Sequence, residues 1–225
     1  FLSPLKNALE TSLHWDSTTF GTYAASEYFL NVFCFFLIFA GIILDKMGIR
    51  FTGLLSASLM VIGAGIKFYA VSDLFIGSGF EAWLNSWWVA LPATAKLACF
   101  GFMIFGCGCE MAGTTVSKAI AKWFKGKEMA MAMGLEMSIA RLGVFAAMWL
   151  SPFVYDKFNN VISAPVAFGA ALLCIGLIFY TVFVFMDRKL DKELTAAGEV
   201  TEESSEEEFK FSDVKEILTS KSFWI

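Results

Sequence analysis

Four ionisable side chains within the long apolar stretches of this 225-residue chain are worth weighing for chemistry: Glu27, Glu110, Glu136 and Arg141. A charge at the centre of hydrocarbon costs roughly 2.5–3.5 kcal/mol on insertion scales, so a function is the first reading of each. Around Glu110, Gly106, Gly113 and Ser117 stand at −4, +3 and +7, a small and polar helix stripe suited either to close packing or to lining a water-filled cavity. Arg141 lies 14 residues, ~21 Å, beyond Lys127, and Glu110 lies 8 residues, ~12 Å, before Lys118. On straight helices their depths differ by roughly 9 Å. Long side chains could close that gap as an ion pair, or leave it open for a small zwitterion with its carboxylate on Arg141 and its amine on Glu110. Asn31 is interhelical glue or a further substrate contact. Glu27 falls ~27 Å from Asp45, near an interface where it could face water, and Glu136 sits about 140° around the helix from Arg141, suited to pairing with a loop Lys.

The elements that must carry these residues are membrane spans. Hydrophobic residues make up 57% of the chain and aromatics 16%, with 25 Phe and 7 Trp, and the mean hydropathy is +0.65; a soluble domain rarely has this make-up. Windows of about 20 apolar residues, the length that crosses hydrocarbon, predict helices near 22–44, 51–71, 92–117, 129–151 and 162–186, with Phe223, Trp224 and Ile225 beginning another. Twelve Lys and Arg, among them Lys46, Arg50, Lys118, Lys122, Lys125 and Lys127, fall on one side of this arrangement. Only Lys6, Lys96 and Lys157 fall on the other, which makes the first side cytoplasmic. Residues 1–21 are then an external loop, and residues 72–91, holding Trp83, Trp87 and Trp88, a helix lying in the outer interface. The net charge of −4 is uneven, because residues 187–216 hold eleven acids against five bases. We expect residues 187–222 to be an acidic cytoplasmic linker, flexible over Thr201–Glu208, with a short amphipathic helix over Ser212–Leu218.

Enzymatic and metal chemistry find little support. His14 is the only histidine and lies outside the spans, and Ser78 between Gly77 and Gly79 has no membrane-embedded His to activate it. Cys34, Cys99, Cys107, Cys109 and Cys174 all lie in apolar runs and read as small packing residues. Neither a cofactor nor a nucleic-acid partner is expected; the expected partners are the lipid bilayer and a small solute.

Two basic turns carry a more specific signal. Between the first two spans, Gly41, Asp45, Lys46, Gly48 and Arg50 form a charged, glycine-punctuated hairpin. Lys46 and Arg50 can anchor both helix ends at an anionic leaflet, while Gly41 and Gly48 permit close packing and a tight reversal. Asp45, at a helix C-terminus, opposes the dipole and calls for another helix's N-terminus or a basic partner. Further on, Trp123 and Phe124 seat a helix end at the headgroups, Gly126 turns the chain, and Glu128 suits the N-terminus that follows. The first turn resembles the Gly-x-x-x-Asp-Arg/Lys-x-Gly-x-Arg loop of the major facilitator superfamily, with Phe51 where many members carry a second basic residue. The second is similar to that family's Trp-Phe-x-x-Lys/Arg-Glu loop. Gly101, Gly106, Gly108 and Glu110, with Gly134, Ser138, Arg141 and Gly143, extend the likeness to the branch that contains the major facilitator superfamily domain-containing protein one and its bacterial relatives.

This resemblance implies an all-α membrane protein in which the five spans correspond to helices two to six of a six-helix half-bundle, followed by a linker and the start of helix seven. It implies a fragment that lacks its first helix and C-terminal half, from a secondary transporter in the inner or plasma membrane working on small peptides or other zwitterions by alternating access. It also implies a gating role for the hairpin. Phe102 departs from the pattern, which usually places there an Arg often tied to proton coupling. The runner-up is a non-transporting receptor or accessory subunit, which saturable uptake would exclude. The basic asymmetry makes a prediction of its own: cysteines introduced at Lys125 and Ser204 are shielded from impermeant thiol reagents in intact cells while one at Ser72 reacts, and external labelling at both of the first two positions overturns the topology.

Overall fold

Hydrocarbon offers an amide no partner outside its own helix, so apolar windows of this length fold as helices. The computed structural model describes residues 2–124 and 127–196. A 3-10 turn at Ser3–Leu5 leads into α1 (Lys6–Leu13), α2 (Ser17–Phe33), α3 (Phe36–Ala70), α4 (Gly79–Asn85), α5 (Ala93–Trp123), α6 (Lys127–Lys157) and α7 (Ser163–Ala196). Four of these, α3, α5, α6 and α7, are long and apolar enough to cross a membrane.

The helical run of α3 is two arms, because Gly48 at φ 72° and ψ 173° breaks it, a conformation open to glycine. Contacts with α5 give each arm its direction. Trp15 Nε1 donates to Thr94 Oγ1 at 3.0 Å, Tyr23 stacks on Phe102 at 4.7 Å, and Gly106 abuts the Glu27 carbonyl. Each of these joins residue n to residue n + 79, so α2 runs parallel to α5. The arm beyond Gly48 runs the opposite way, with Gly63 against Gly101 and Phe105, and Ser56 and Met60 against Gly108. The chain therefore makes five passes, over 17–47, 49–70, 93–123, 127–157 and 163–196, and is a multi-pass membrane protein. The expected first span is interrupted: Cys34 closes α2 onto the Leu30 carbonyl at 3.1 Å, and Phe35 sits at φ 51° before the helix restarts. No Gly or Pro marks that break in the sequence.

The second arm of α3 and α5 form the centre, packed through glycines that let backbones approach. α7 also packs on α3, with Tyr180 lying over Gly53 and donating to the Ile49 carbonyl at 2.9 Å. The outer faces of α6 and α7 show Leu135, Phe145, Trp149, Ile178 and Phe179 to the surroundings, as lipid-facing helices do.

Several expectations are corrected. Residues 2–21 are a structured cap: α1 and the start of α2 bury Leu2, Leu9 and Trp15 against Ala70, Val71, Ala95, Ala98 and Ile162. Residues 72–91 hold only the seven-residue α4, clamped by Lys96, whose Nζ donates to the Leu84 carbonyl at 2.7 Å. Ser72 is buried, its hydroxyl bonded to the Tyr69 carbonyl, so Trp88, 93% exposed, is the proper position for a labelling probe at that end. α7 continues past Met186 to Ala196, taking the expected beginning of the linker into a helix. The Gly126 turn, the Thr201–Glu208 run, the Ser212–Leu218 helix and the Phe223–Ile225 start lie outside the described residues.

The glycine contacts make a testable point. A Cβ at Gly63 would stand 2.5 Å from the Gly101 carbonyl oxygen, whereas one at Gly65 would meet nothing within 4 Å. Gly63→Ala should therefore lower the melting temperature in detergent, at a cost of about 1–3 kcal/mol. Gly65→Ala should leave it unchanged or raise it. Equal melting temperatures for the two variants contradict backbone-close packing of α3 on α5.

Candidate functional site

Between the passes lies a cavity of about 410 Å³, walled by residues of α2, α3, α5, α6 and α7 and roofed by Leu2, Ser3 and Pro4. Its polar wall consists of Tyr23, Glu27 and Lys67, and its apolar wall includes Phe102, Phe105, Val144 and Met148. The Lys67 ammonium stands 4.4 Å from the Phe102 ring centre and 4.0 Å from that of Phe105, within cation–π range. Glu27 lies within electrostatic reach of Lys67 and Glu110. No hydrogen bond or ion pair joins Glu27 to Lys67 among the described residues. Lys67 went unremarked in the sequence, although a lysine deep in the apolar 51–71 run was signal enough. Glu27, expected to face water at an interface, turns into the cavity.

The expected pair is placed differently. Glu110 is half-buried on α5 and Arg141 is exposed on α6, and no ion pair or hydrogen bond joins them. Neither lines the cavity. Arg141 precedes the wall residue Val144 by three positions, ~4.5 Å of helix, and Glu110 follows Phe105 by five, ~7.5 Å. Asn31 is buried with both side-chain amide atoms unpartnered. By the n + 79 register it stands level with Glu110, one turn beyond Glu27 on the same face of α2.

At the opposite end of the bundle the hairpin residues join a charge cluster. Asp187 on α7 is fully buried. It accepts from Arg50 Nε at 2.6 Å, from Lys122 Nζ at 3.0 Å and from Trp123 Nε1 at 3.0 Å. Asp191, one turn on, pairs with Arg50 and with Lys122 at 2.9 Å. Arg50 is thus tied to α7 and not only to a leaflet, and the Trp123 indole to Asp187 and not only to headgroups. Asp187 was missed because composition assigned it to the acidic linker. Asp45 finds the basic partner its position called for, Lys118 Nζ at 3.2 Å, with side chains 44% and 25% exposed respectively. Gly48 makes the reversal, but Gly41 faces open space and packs against nothing, and Lys46 is exposed.

The family model of the Major Facilitator Superfamily matches residues 1–225. The chain belongs to the major facilitator superfamily. Among characterised members of this superfamily, it is similar to the "Lysosomal dipeptide transporter MFSD1" of Pongo abelii, 26% identical over 90% of this chain and 40% of that protein. It is likewise similar to the proteins of that name from Homo sapiens, at 26% over 86% and 38%, and from Danio rerio, at 30% over 86% and 38%. The chain thus spans about 40% of the length of these curated relatives. No solved structure matches it.

The two ion-pair sites of the hairpin predict different stability effects. Asp187→Asn leaves Arg50 and Lys122 short of a buried counter-charge and should cost about 3–5 kcal/mol, seen as lost folded yield and a lower melting temperature. Asp45→Ala breaks an exposed pair worth about 0–1 kcal/mol and should leave folded yield unchanged. Similar yields for the two variants would refute the assigned difference in burial.

Proposed function

We propose that the full-length protein carrying this chain is a secondary transporter that moves small organic solutes, dipeptides and other zwitterions among them, by alternating access. The observation that carries this reading is the cavity itself: a hollow of about 410 Å³ between membrane passes, with opposite charges on an otherwise apolar wall, within the size range of small-ligand sites. Family membership and the printed name of the relatives, lysosomal dipeptide transporter, support the same solute class. The cavity needs a further helix and a second six-helix half to enclose it, and these are the proposed partners of the present bundle.

In this reading Glu110 and Arg141 take the amine and carboxylate of the solute on the charged-end side of the cavity, with Asn31 level with Glu110. Gly41, Asp45, Lys46, Gly48 and Arg50 form the moving gate at the charged end. The twelve-to-three distribution of basic residues supports a cytoplasmic position for that end. We assign the protein to the inner or plasma membrane, whereas the relatives' name places those proteins at the lysosome.

Saturable dipeptide uptake into vesicles tests the transport reading. Arg141→Lys keeps the charge and loses the planar two-pronged donor, so dipeptide binding should weaken. Glu110→Gln should weaken ligands with a free amine more than amine-blocked analogues. A purely structural pair behaves otherwise: each single change lowers folded yield, and the Glu110→Gln, Arg141→Gln double change recovers it. Normal binding by both single variants, or recovery of both yield and transport in the double, overturns the site.

A further inference from the structure

Glu27 and Lys67 come from different passes, carry opposite charges and share one cavity wall without touching. If the only task of Lys67 were to be tolerated in the membrane, the favourable arrangement would be a closed ion pair with Glu27, since unpaired buried charge is the costly state. The bundle instead holds the ammonium against two ring faces, Phe102 at 4.4 Å and Phe105 at 4.0 Å. Phe102 is itself fixed by stacking on Tyr23 at 4.7 Å. Ring faces stabilise the charge but accept none of its three N–H donors in the manner of a carboxylate. Among the described residues, those donors and the Glu27 oxygens are spent on no protein partner, and both groups line one cavity of about 410 Å³.

The position along the bundle separates this pair from Glu110 and Arg141. Tyr23 is one turn from Glu27 on α2, and Ala64 one turn from Lys67 on α3, and both line the same wall. Along α5, Glu110 lies eight residues, ~12 Å, from Phe102 and four residues, ~6 Å, from Gly106, which stands level with Glu27, in both cases toward the charged end. The remaining wall, with Val144, Met148, Val166 and Leu173, is apolar.

We propose that Lys67 and Glu27 form a second charged station for a zwitterionic solute with an apolar body, nearer the capped end than Glu110 and Arg141, in which Lys67 takes the carboxylate and Glu27 the amine. The proposal rests on the transport reading and adds to it an outer subsite and a preference for apolar side chains.

The test uses the full-length protein in vesicles, with leucyl-alanine, its C-terminal amide, its N-acetyl form and free leucine as probes. Lys67→Gln should raise the half-saturating concentration of leucyl-alanine about tenfold, the size of one lost charge-assisted contact, while changing that of the amide less than about twofold. Glu27→Gln should do the same for the free amine against the N-acetyl form. Free leucine following the dipeptide in both variants assigns the station to any zwitterion, and leucine left unaffected assigns it to dipeptides. Equal loss for acid and amide in Lys67→Gln, or recovery of yield and uptake by the Lys67→Gln, Glu27→Gln double variant, overturns the station and leaves the transport reading standing. A wild-type protein that takes up none of the probes overturns both. Should Lys67→Gln fail to accumulate, Val144→Cys on the cavity wall decides: leucyl-alanine should slow its alkylation by a maleimide and the amide should not, and equal protection by the two rejects the carboxylate role.

Discussion

Everything at the charged end of this bundle depends on one buried carboxylate. Asp187 has no exposed surface and is held by donors from two other helices, Arg50 on α3 and Lys122 with Trp123 on α5. Removing a carboxylate from water is tolerated only when its lone pairs are met by well-placed donors, so the three helices must converge there. That requirement reaches back into the chain. Arg50 can arrive at Asp187 only if the chain has already reversed, and the glycine that reverses it stands two residues earlier at φ 72°. The capped end is held by different physics: Trp15, Leu9, Val71, Ala98 and Ile162 pack chiefly by apolar contact, joined by the Trp15–Thr94 hydrogen bond. One end is pinned by geometry and the other by apolar contact, and the cavity sits under the apolar one.

The spans were legible because hydrocarbon permits few alternatives, and a 20-residue apolar window leaves little besides a helix. The hairpin reversal at Gly48 and the basic partner of Asp45 were legible for local reasons, a glycine with the freedom to turn and an acid on the wrong end of a dipole. What escaped depended on contacts distant in sequence. Asp187 looked like the first residue of a charge run and is instead a buried acid held by three donor side chains, because α7 continues through it. Lys67 was hidden by the apolar residues around it. The break at Cys34 and Phe35 carries no local signal, since Phe at positive φ is a conformation that only the surrounding structure imposes. The packing expected of Gly41 failed for a related reason: a glycine permits close approach, but a neighbour must be there to make it, as one is at Gly63 and not at Gly41.

The position of the cavity follows from where small residues allow contact. Gly63 with Gly101, and Gly108 with Ser56 and Met60, bring α3 and α5 to backbone contact, which leaves no room for a ligand between them. α6 has no comparable seam: Gly134 and Gly143 both face open space. Space is therefore left between α6 and the glycine-packed pair, and it is there that Val144 and Met148 face Lys67 and Phe105 across the hollow.

Phe102 shows how a departure from a family pattern can coincide with a charge supplied by a neighbouring helix. The resemblance places an Arg at this position on α5, and its replacement by Phe would by itself remove the cation from the middle of the half-bundle. The structure supplies a cation from the neighbouring pass instead: Lys67 rests on the ring of Phe102. An aromatic face favours a cation above it in a low-dielectric site, so Phe102 helps to hold the Lys67 charge. Lys67 on α3 shares its cavity wall with Glu27 on α2, and Tyr23, stacked on Phe102, braces the same ring from the other pass. The charge balance of the bundle interior is thus maintained by three helices together, and a change at any one of Tyr23, Lys67 or Phe102 is felt at the other two.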